Sequence, residues 1–365
     1  MTIAPRTILV TGATGLVGRR IVASLLRRTD ASIVVLVRDP ARWQAIAAGL
    51  GAATSRVTAI RADITRPALG MDARAVRRRI GSPSLVIHSA ADIVFSRSLA
   101  DARRVNVEGT GNVIELAATF PHARFVLVST AFAVGRRTGA IADGDDAGHA
   151  GWVNSYEQSK HEAESLVRSS GLDHVIARPS TIVCDDVRGG VTQVNAVHRA
   201  LRLYHAGLAS MMPGADDTPI DVIPADWAAD GIAKLALARE TSGLTLHLCA
   251  GDGALPLGEL LDRTYALWSR DPAWRRRGIA RPALSDLPTY ELLERSVELV
   301  GDARLKRITR SLSHFVPQLA LPKHFDTSRA REILRDAAPR VSAYWDRMLE
   351  WLLASNWSAA LPEAA

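Results

Sequence analysis

The chain has only two cysteines in 365 residues, Cys184 and Cys249. Both fall in or just after apolar, strand-like runs, which argues against a disulfide scaffold and fits free thiols in a reducing, cytoplasmic compartment. No apolar run reaches the length of a membrane span, and nothing before Thr7 reads as a leader, so neither feature is expected. No His/Cys/Asp/Glu spacing suggests a metal site. Internal repeats and low-complexity tracts are missing as well. The 45 basic residues include just four lysines, Lys160, Lys234, Lys306 and Lys323, so arginine carries nearly all of the +7 net charge. Clusters such as Arg77-Arg78-Arg79 and Arg275-Arg276-Arg277 lack interleaved aromatics, which argues against nucleic-acid binding. They read first as solvated helix faces, and second as docking surface for an anionic carrier or cofactor.

What is present has ordinary globular proportions, 47% apolar and 23% charged. The length exceeds a minimal nucleotide-binding domain and implies a second, smaller lobe. Between residues 50 and 250, strand-like and helix-like segments alternate. Strand-like runs at 57–60, 85–88, 124–128, 174–177 and 244–248 are interleaved with helical stretches near 71–80, 99–119 and 155–170. Such alternation implies a parallel sheet with helices on both faces and functional groups at the carboxyl ends of the strands. The expected fold is α/β, a Rossmann doubly wound sheet over 1–250, with 184–217 contributing to a substrate lobe. A mostly helical, substrate-binding C-terminal region then occupies 251–365.

The N-terminus reads as a nucleotide site. Thr7-Ile8-Leu9-Val10 is a short apolar strand, followed by Thr11-Gly12-Ala13-Thr14-Gly15-Leu16-Val17-Gly18 and a helical stripe. Gly12 permits the tight turn, Gly15 lets the backbone approach a pyrophosphate, and Gly18 allows close helix–strand packing. The helix start adds free N–H groups and a positive dipole end. A second strand, Ser32–Val37, ends at Arg38-Asp39. An arginine there accommodates a 2′-phosphate whereas an acid binds the free ribose, so Arg38 points to NADPH over NADH.

Asn154-Ser155-Tyr156-Glu157-Gln158-Ser159-Lys160 places a phenol and an ammonium one helical turn apart. A buried lysine charge beside Tyr156 is expected to lower its pKa from about 10 towards working pH, making it a proton donor to a carbonyl oxygen. Taken together, these segments and Asp63-Ile64, His88-Ser89-Ala90-Ala91, Asn106-Val107-Glu108-Gly109-Thr110, Ser129-Thr130 and Arg178-Pro179-Ser180 resemble the extended short-chain dehydrogenase/reductase superfamily over roughly residues 5–250. His88–Phe95, Asn106–Thr110 and Asp221–Trp227 look most like fatty acyl-CoA reductases and the terminal thioester reductase domains of peptide synthetases and carboxylic acid reductases. The chain departs from the alcohol-forming acyl reductases after Ser180. They carry a Pro-Gly-Trp loop where this sequence has Thr181–Asp186 and then Gly189-Gly190, a departure that weighs against long-chain fatty acyl specificity.

The resemblance implies roles. Tyr156 is the acid, Lys160 holds the nicotinamide ribose and tunes Tyr156, and Thr130 donates to the developing oxyanion, with Ser129 as a neighbour that could substitute. Gly12, Thr14, Gly15, Leu16, Val17, Gly18, Arg38, Asp63, Ile64, Ala90, Ala91, Lys160 and Pro179 form the cofactor site. Asn106 and His88 read better as structural ties than as reacting groups. Arg136–Gly151, with four glycines, looks like a mobile active-site loop. Tyr344, Trp345, Met348, Trp351 and Leu352 form a stripe better explained by packing than by acyl binding. The leading function is NADPH-dependent reduction of an acyl thioester, on CoA or an acyl carrier protein, to an aldehyde and on some readings an alcohol. The alternatives are another extended-family oxidoreductase, such as a nucleotide-sugar epimerase/dehydratase or hydroxysteroid-type dehydrogenase, and a non-catalytic NADP sensor.

Overall fold

The computed structural model describes residues 2–50, 52–71, 78–300 and 303–357. Seven strands form one wholly parallel sheet: β1 (Thr7–Thr11), β2 (Ser32–Val37), β3 (Val57–Arg61), β4 (Leu85–His88), β5 (Arg124–Val128), β6 (His174–Pro179) and β7 (Leu244–Leu248). Their spatial order is β7-β6-β5-β4-β1-β2-β3, so the winding reverses between β1 and β4. That reversal opens the crevice in which doubly wound sheets bind ligands. The strands are near-continuous apolar runs because both of their faces are buried. Ile8, Val10, Ile33, Val35, Val126 and Val175 face one core, while Leu9, Val34, Leu36, Val86, Phe125 and Ile176 face the other.

Helix α1 (Leu16–Arg28) and the later helix Ala225–Leu237 cover the first face. Polar pairs tie the two together: Ser24 donates to Asp230 at 2.7 Å, and Arg28 grips the same carboxylate at 2.9 and 2.8 Å. The other face is covered by two helices. One is Ser155–Ser169, as expected from the sequence. The second stretch, expected as unbroken helix over 99–119, is divided. Leu99–Arg103 and Gly109–Ala118 are α-helical, and Arg104–Glu108 between them forms a π-turn carrying Asn106. The helix expected near 71–80 falls largely on residues 72–77, outside the described residues, as does Arg77, whereas Arg78 and Arg79 are exposed on the helical turn that follows.

A further apolar cluster is built by residues 183–223 together with 250–352. It contains the helices Ala196–His205, Leu257–Trp268 and Trp345–Ala354. Tyr344, Trp345, Met348 and Leu352 are fully buried there. The Tyr344 hydroxyl donates to the Val222 carbonyl at 2.6 Å, and the Trp345 indole to Thr264 at 3.1 Å. The stripe is core packing.

The segment Arg136–Gly151 is anchored rather than free. Gly139–Ile141 pairs in parallel with Lys323–Phe325, Arg178 donates to the Asp145 carbonyl at 2.6 Å, and Asp143 accepts from the His247 backbone at 2.9 Å. The glycines that suggested mobility instead allow its turns: Gly139, Gly144, Gly148 and Gly151 all have positive φ. Among the described residues, no helix is long and apolar enough to cross a membrane.

Candidate active site

The glycine-rich turn is shaped by contacts only glycine can make. Gly12 has φ +71°, and a Cβ there would lie 2.5 Å from the Ala90 nitrogen. A Cβ on Gly18 would lie 2.1 Å from the Gly12 carbonyl oxygen. Gly15, by contrast, is exposed at the start of α1. No side chain caps that helix, and no acid lies in its first turn. Thr14, Leu16 and Val17 are half-buried around the same N-terminus. An uncapped 13-residue helix behind a glycine turn fits a pyrophosphate.

A chain of hydrogen bonds fixes this turn to the ends of β1 and β4. The Ala90 N–H donates to Thr11 Oγ1 at 3.3 Å, and that hydroxyl lies 2.7 Å from His88 Nδ1. His88 Nε2 is 3.1 Å from Thr110 Oγ1, whose own proton goes to the Asn106 carbonyl at 2.6 Å. Thr110 must therefore accept from Nε2–H, which leaves Nδ1 to accept from Thr11. Burial pushes the His88 pKa down to about 3, with the Lys160 charge adding to the shift, so the ring stays neutral. Asn106 accepts from the Asp92 backbone at 2.8 Å and donates to Ser159 at 2.9 Å, which joins the β4 loop to the Tyr156 helix. Both residues act as ties.

Arg38 is exposed at the end of β2. Asp39, the residue that could have argued for NADH, caps the next helix by accepting from Ala41 N–H at 2.9 Å. Burial raises the Asp63 pKa, but hydrogen bonds from Thr65 and the charges of Arg38 and Arg66 outweigh it and leave the carboxylate favoured. Ile64 packs where a side chain on Gly109 would stand, and Ala90 and Ala91 are small and half-buried beyond β4. Pro179 is buried at the end of β6, paired with Leu248. These residues fit a dinucleotide lying across the β1/β4 crevice.

Asn154 caps the Ser155–Ser169 helix by accepting from Glu157 N–H at 3.0 Å. That cap sets Tyr156 in the first turn, in ring contact with Phe95 at 5.4 Å. Burial pushes the Tyr156 phenol up to about 12, the neighbouring Thr130 hydroxyl pulls it down, and the Glu157 charge adds to the rise. The expected lowering by Lys160 is absent. Desolvation of the phenol dominates its shift, and the Lys160 ammonium is directed to the Val128 carbonyl at 2.8 Å.

Thr130 is buried and caps the short turn Ala131–Val134, accepting from Phe132 N–H at 3.3 Å. Ser129 serves a different purpose: its hydroxyl donates to Glu164 Oε1 at 2.6 Å. Glu164 and Arg178 form a fully buried bidentate pair at 2.8 and 2.7 Å. Sequence reading assigned neither of them a role. It also passed over Glu157, Gln318 and Lys323. Gln318 donates to Glu157 at 2.6 Å, and Lys323 donates to Gln318 at 2.7 Å. The rarity of lysine was the one available signal for Lys323. Beside this network lies an apolar cavity of about 90 Å³, bordered by Phe132, Leu201, Ile220, Leu261, Phe315 and Phe325.

Residues 10–232 match the family described as "Male sterility protein", an NAD-binding domain family. The chain belongs to that family. It is a nicotinamide-dependent oxidoreductase of the extended short-chain dehydrogenase/reductase type. A relative is the isonitrile lipopeptide synthase of Streptomyces coeruleorubidus, 31% identical over an alignment of 265 residues that covers 66% of this chain and 17% of that protein. The chain thus matches only a small part of that relative's length. Among solved structures, the terminal R domain of the myxalamid PKS-NRPS pathway superposes with a TM-score of 0.78 at 25% identity, covering 100% of this chain and 94% of that one. The reductase domain of a nonribosomal peptide synthetase from Mycobacterium tuberculosis has the same fold, with a TM-score of 0.66 at 23% identity, covering 97% and 94%.

Proposed function

We propose that this protein reduces an acyl thioester, carried on a carrier protein or CoA, to an aldehyde, with NADPH as the preferred cofactor. The observation that carries the reading is the position of Thr130 and Tyr156. Phe132, bonded to Thr130, and Phe315, reached from Tyr156 through Phe95, both border the apolar cavity. An apolar cavity suits an acyl chain and gives a hydroxyl-rich sugar few partners. Relatives named as reductase domains of peptide and polyketide synthetases support the thioester class.

The nicotinamide, when bound, supplies hydride to the thioester carbonyl carbon. The chain's own residues do the rest. Thr130 donates to the carbonyl oxygen as it gains charge, and Tyr156 transfers its proton to it. A phenol of high pKa stays protonated at neutral pH, so it is available as the acid. Lys160, buried next to the strand end, has donors left for the ribose after its bond to Val128. The hemithioacetal then loses its thiol as the carbon–sulfur bond breaks and the aldehyde C=O re-forms. Arg38 would pair with the 2′-phosphate of NADPH. The exposed Arg275 and Arg276 offer positive charge for an acidic carrier.

Stoichiometry tests the assignment. With thioester in excess, one thiol should appear for each NADPH oxidised, and two NADPH per thiol would mean reduction on to the alcohol. NADPH loss on ketones or aldehydes, with no thiol from any thioester, would overturn it.

A further inference from the structure

Lys323 is a cation in the wall of the apolar cavity, and the thioester chemistry proposed above does not use it. It is 4% exposed, on the strand Lys323–Phe325 that pairs with Gly139–Ile141. Its ammonium donates to Gln318 Oε1 at 2.7 Å and to the Leu321 carbonyl at 3.3 Å. An ammonium has three N–H donors, and these contacts use two of them. Gln318 stands between Lys323 and Glu157, giving its amide N–H to the carboxyl at 2.6 Å, so Lys323 is not simply the direct partner of that acid. Taking an ammonium out of water is costly unless its donors are used, and Lys323 lines the cavity.

A second charged group narrows what could meet that donor. Asp221, buried in the same cavity wall, accepts from Ala250 N–H at 2.8 Å and Gly251 N–H at 2.9 Å. Those two N–H bonds favour its carboxylate form although burial raises its pKa, and a carboxylate there opposes an anionic substrate tail, while a neutral oxygen suffers no such repulsion. The cavity, about 90 Å³, is small, so it takes a short segment of the acyl chain.

Resting on the thioester-reductase reading, we propose that Lys323 determines acyl specificity. It donates its third N–H to a neutral acceptor oxygen, an amide or ketone carbonyl or a hydroxyl, placed a few atoms from the thioester carbonyl. The preferred substrates are then oxygen-bearing acyl thioesters rather than plain alkanoyl ones.

The test compares pantetheine thioesters of equal length, one straight alkanoyl, one with an internal amide and one ending in a carboxylate. The wild-type protein should favour the amide compound by about 10- to 100-fold in kcat/KM, mostly through KM, the range of one hydrogen bond to a charged donor. In Lys323→Met the preference should shrink to within about threefold. The carboxylate compound should be the poorest. Equilibrium binding of the corresponding unreactive carboxamides, followed by tryptophan fluorescence, reads the same preference without turnover and without a variant. Equal wild-type binding of alkanoyl and amide ligands, or preference for the carboxylate, overturns the inference even if thioesters are reduced. Amide preference in binding without thiol release from any thioester would support Lys323 and sink the reductase assignment instead.

Discussion

The Ser129 hydroxyl donates to the buried carboxylate of Glu164 at 2.6 Å, while the next residue, Thr130, faces Tyr156. Adjacent hydroxyls of one Ser-Thr pair are thus divided between the buried Glu164–Arg178 ion pair and Tyr156. Thr130→Ala should lower turnover by about 10²–10³-fold, the usual loss for one oxyanion donor. Ser129→Ala should leave turnover within about tenfold but cost on the order of 1–3 kcal/mol of stability, because Glu164 loses a buried partner. Denaturant unfolding beside single-turnover kinetics separates the two. A Ser129→Ala protein of normal stability and crippled turnover would reverse the assignment.

Tyr156 has a phenol pushed up to about 12, and this fixes the shape of the pH profile for reduction. An acid works while protonated, so activity falls as pH rises through its pKa. Between about pH 6 and 10 no falling limb should come from Tyr156, and Tyr156→Phe should lower turnover by about 10²–10⁴-fold throughout. Lys160, near 8, is the group on the Tyr156 helix that can lose charge inside that range, while Lys323, also near 8, lies in the cavity wall. Lys160→Arg keeps the charge, so it should remove any limb centred there. Survival of that limb in Lys160→Arg, together with its loss in Tyr156→Phe, would instead place a depressed phenol in this site.

Much of this arrangement was readable before folding was considered. The β1 turn, the seven strands and the Tyr156 helix follow from short-range pattern, because apolar runs, glycine spacing and an Asn cap act over a few residues. What stayed hidden depends on distant pairings. Lys323 and Gln318 reach Glu157 from about half the chain away, Arg178 on β6 meets Glu164 on the helix that covers the sheet, and the glycine-rich segment 136–151 is pinned by strand pairing with residues 323–325. The pKa of Tyr156 was misjudged for the same reason. The spacing to Lys160 was right, but the phenol is buried and the lysine is directed to a carbonyl on β5, and only the folded chain reveals that.

Arg38 stands exposed at the end of β2 while Asp39 is occupied as a helix cap. NADPH should therefore bind more tightly than NADH by roughly 10- to 100-fold, the contribution of one arginine–phosphate contact. Arg38→Asp should narrow or reverse the order without unfolding the helix that follows. Fluorescence titration of both cofactors measures this directly, and equal affinities in the unaltered protein would refute it.

Glu157 carries the clearest pH signature of the fold. Burial raises its pKa from 4.5 to about 7, although hydrogen bonds from Val153 and Gln318 and the charges of Lys323 and Arg136 oppose the shift. The raised value means that the folded state prefers the protonated acid. Its stabilising contribution is fully present below about pH 4.5 and is lost as pH rises through about 7. The loss is on the order of 3 kcal/mol. His88 and His198, held at about 3 and about 4 by burial, act in the opposite sense at lower pH, so the wild-type curve alone is a sum. The difference between wild type and Glu157→Gln isolates the acid, since the amide keeps the shape and cannot ionise. Glu157→Gln should gain stability relative to wild type as pH rises from about 5 to 8, read as a widening gap in unfolding midpoint. A gap that stays constant over that range would show that Glu157 is ionised in the folded protein throughout, and that Lys323 neutralises it through Gln318 more strongly than burial opposes it.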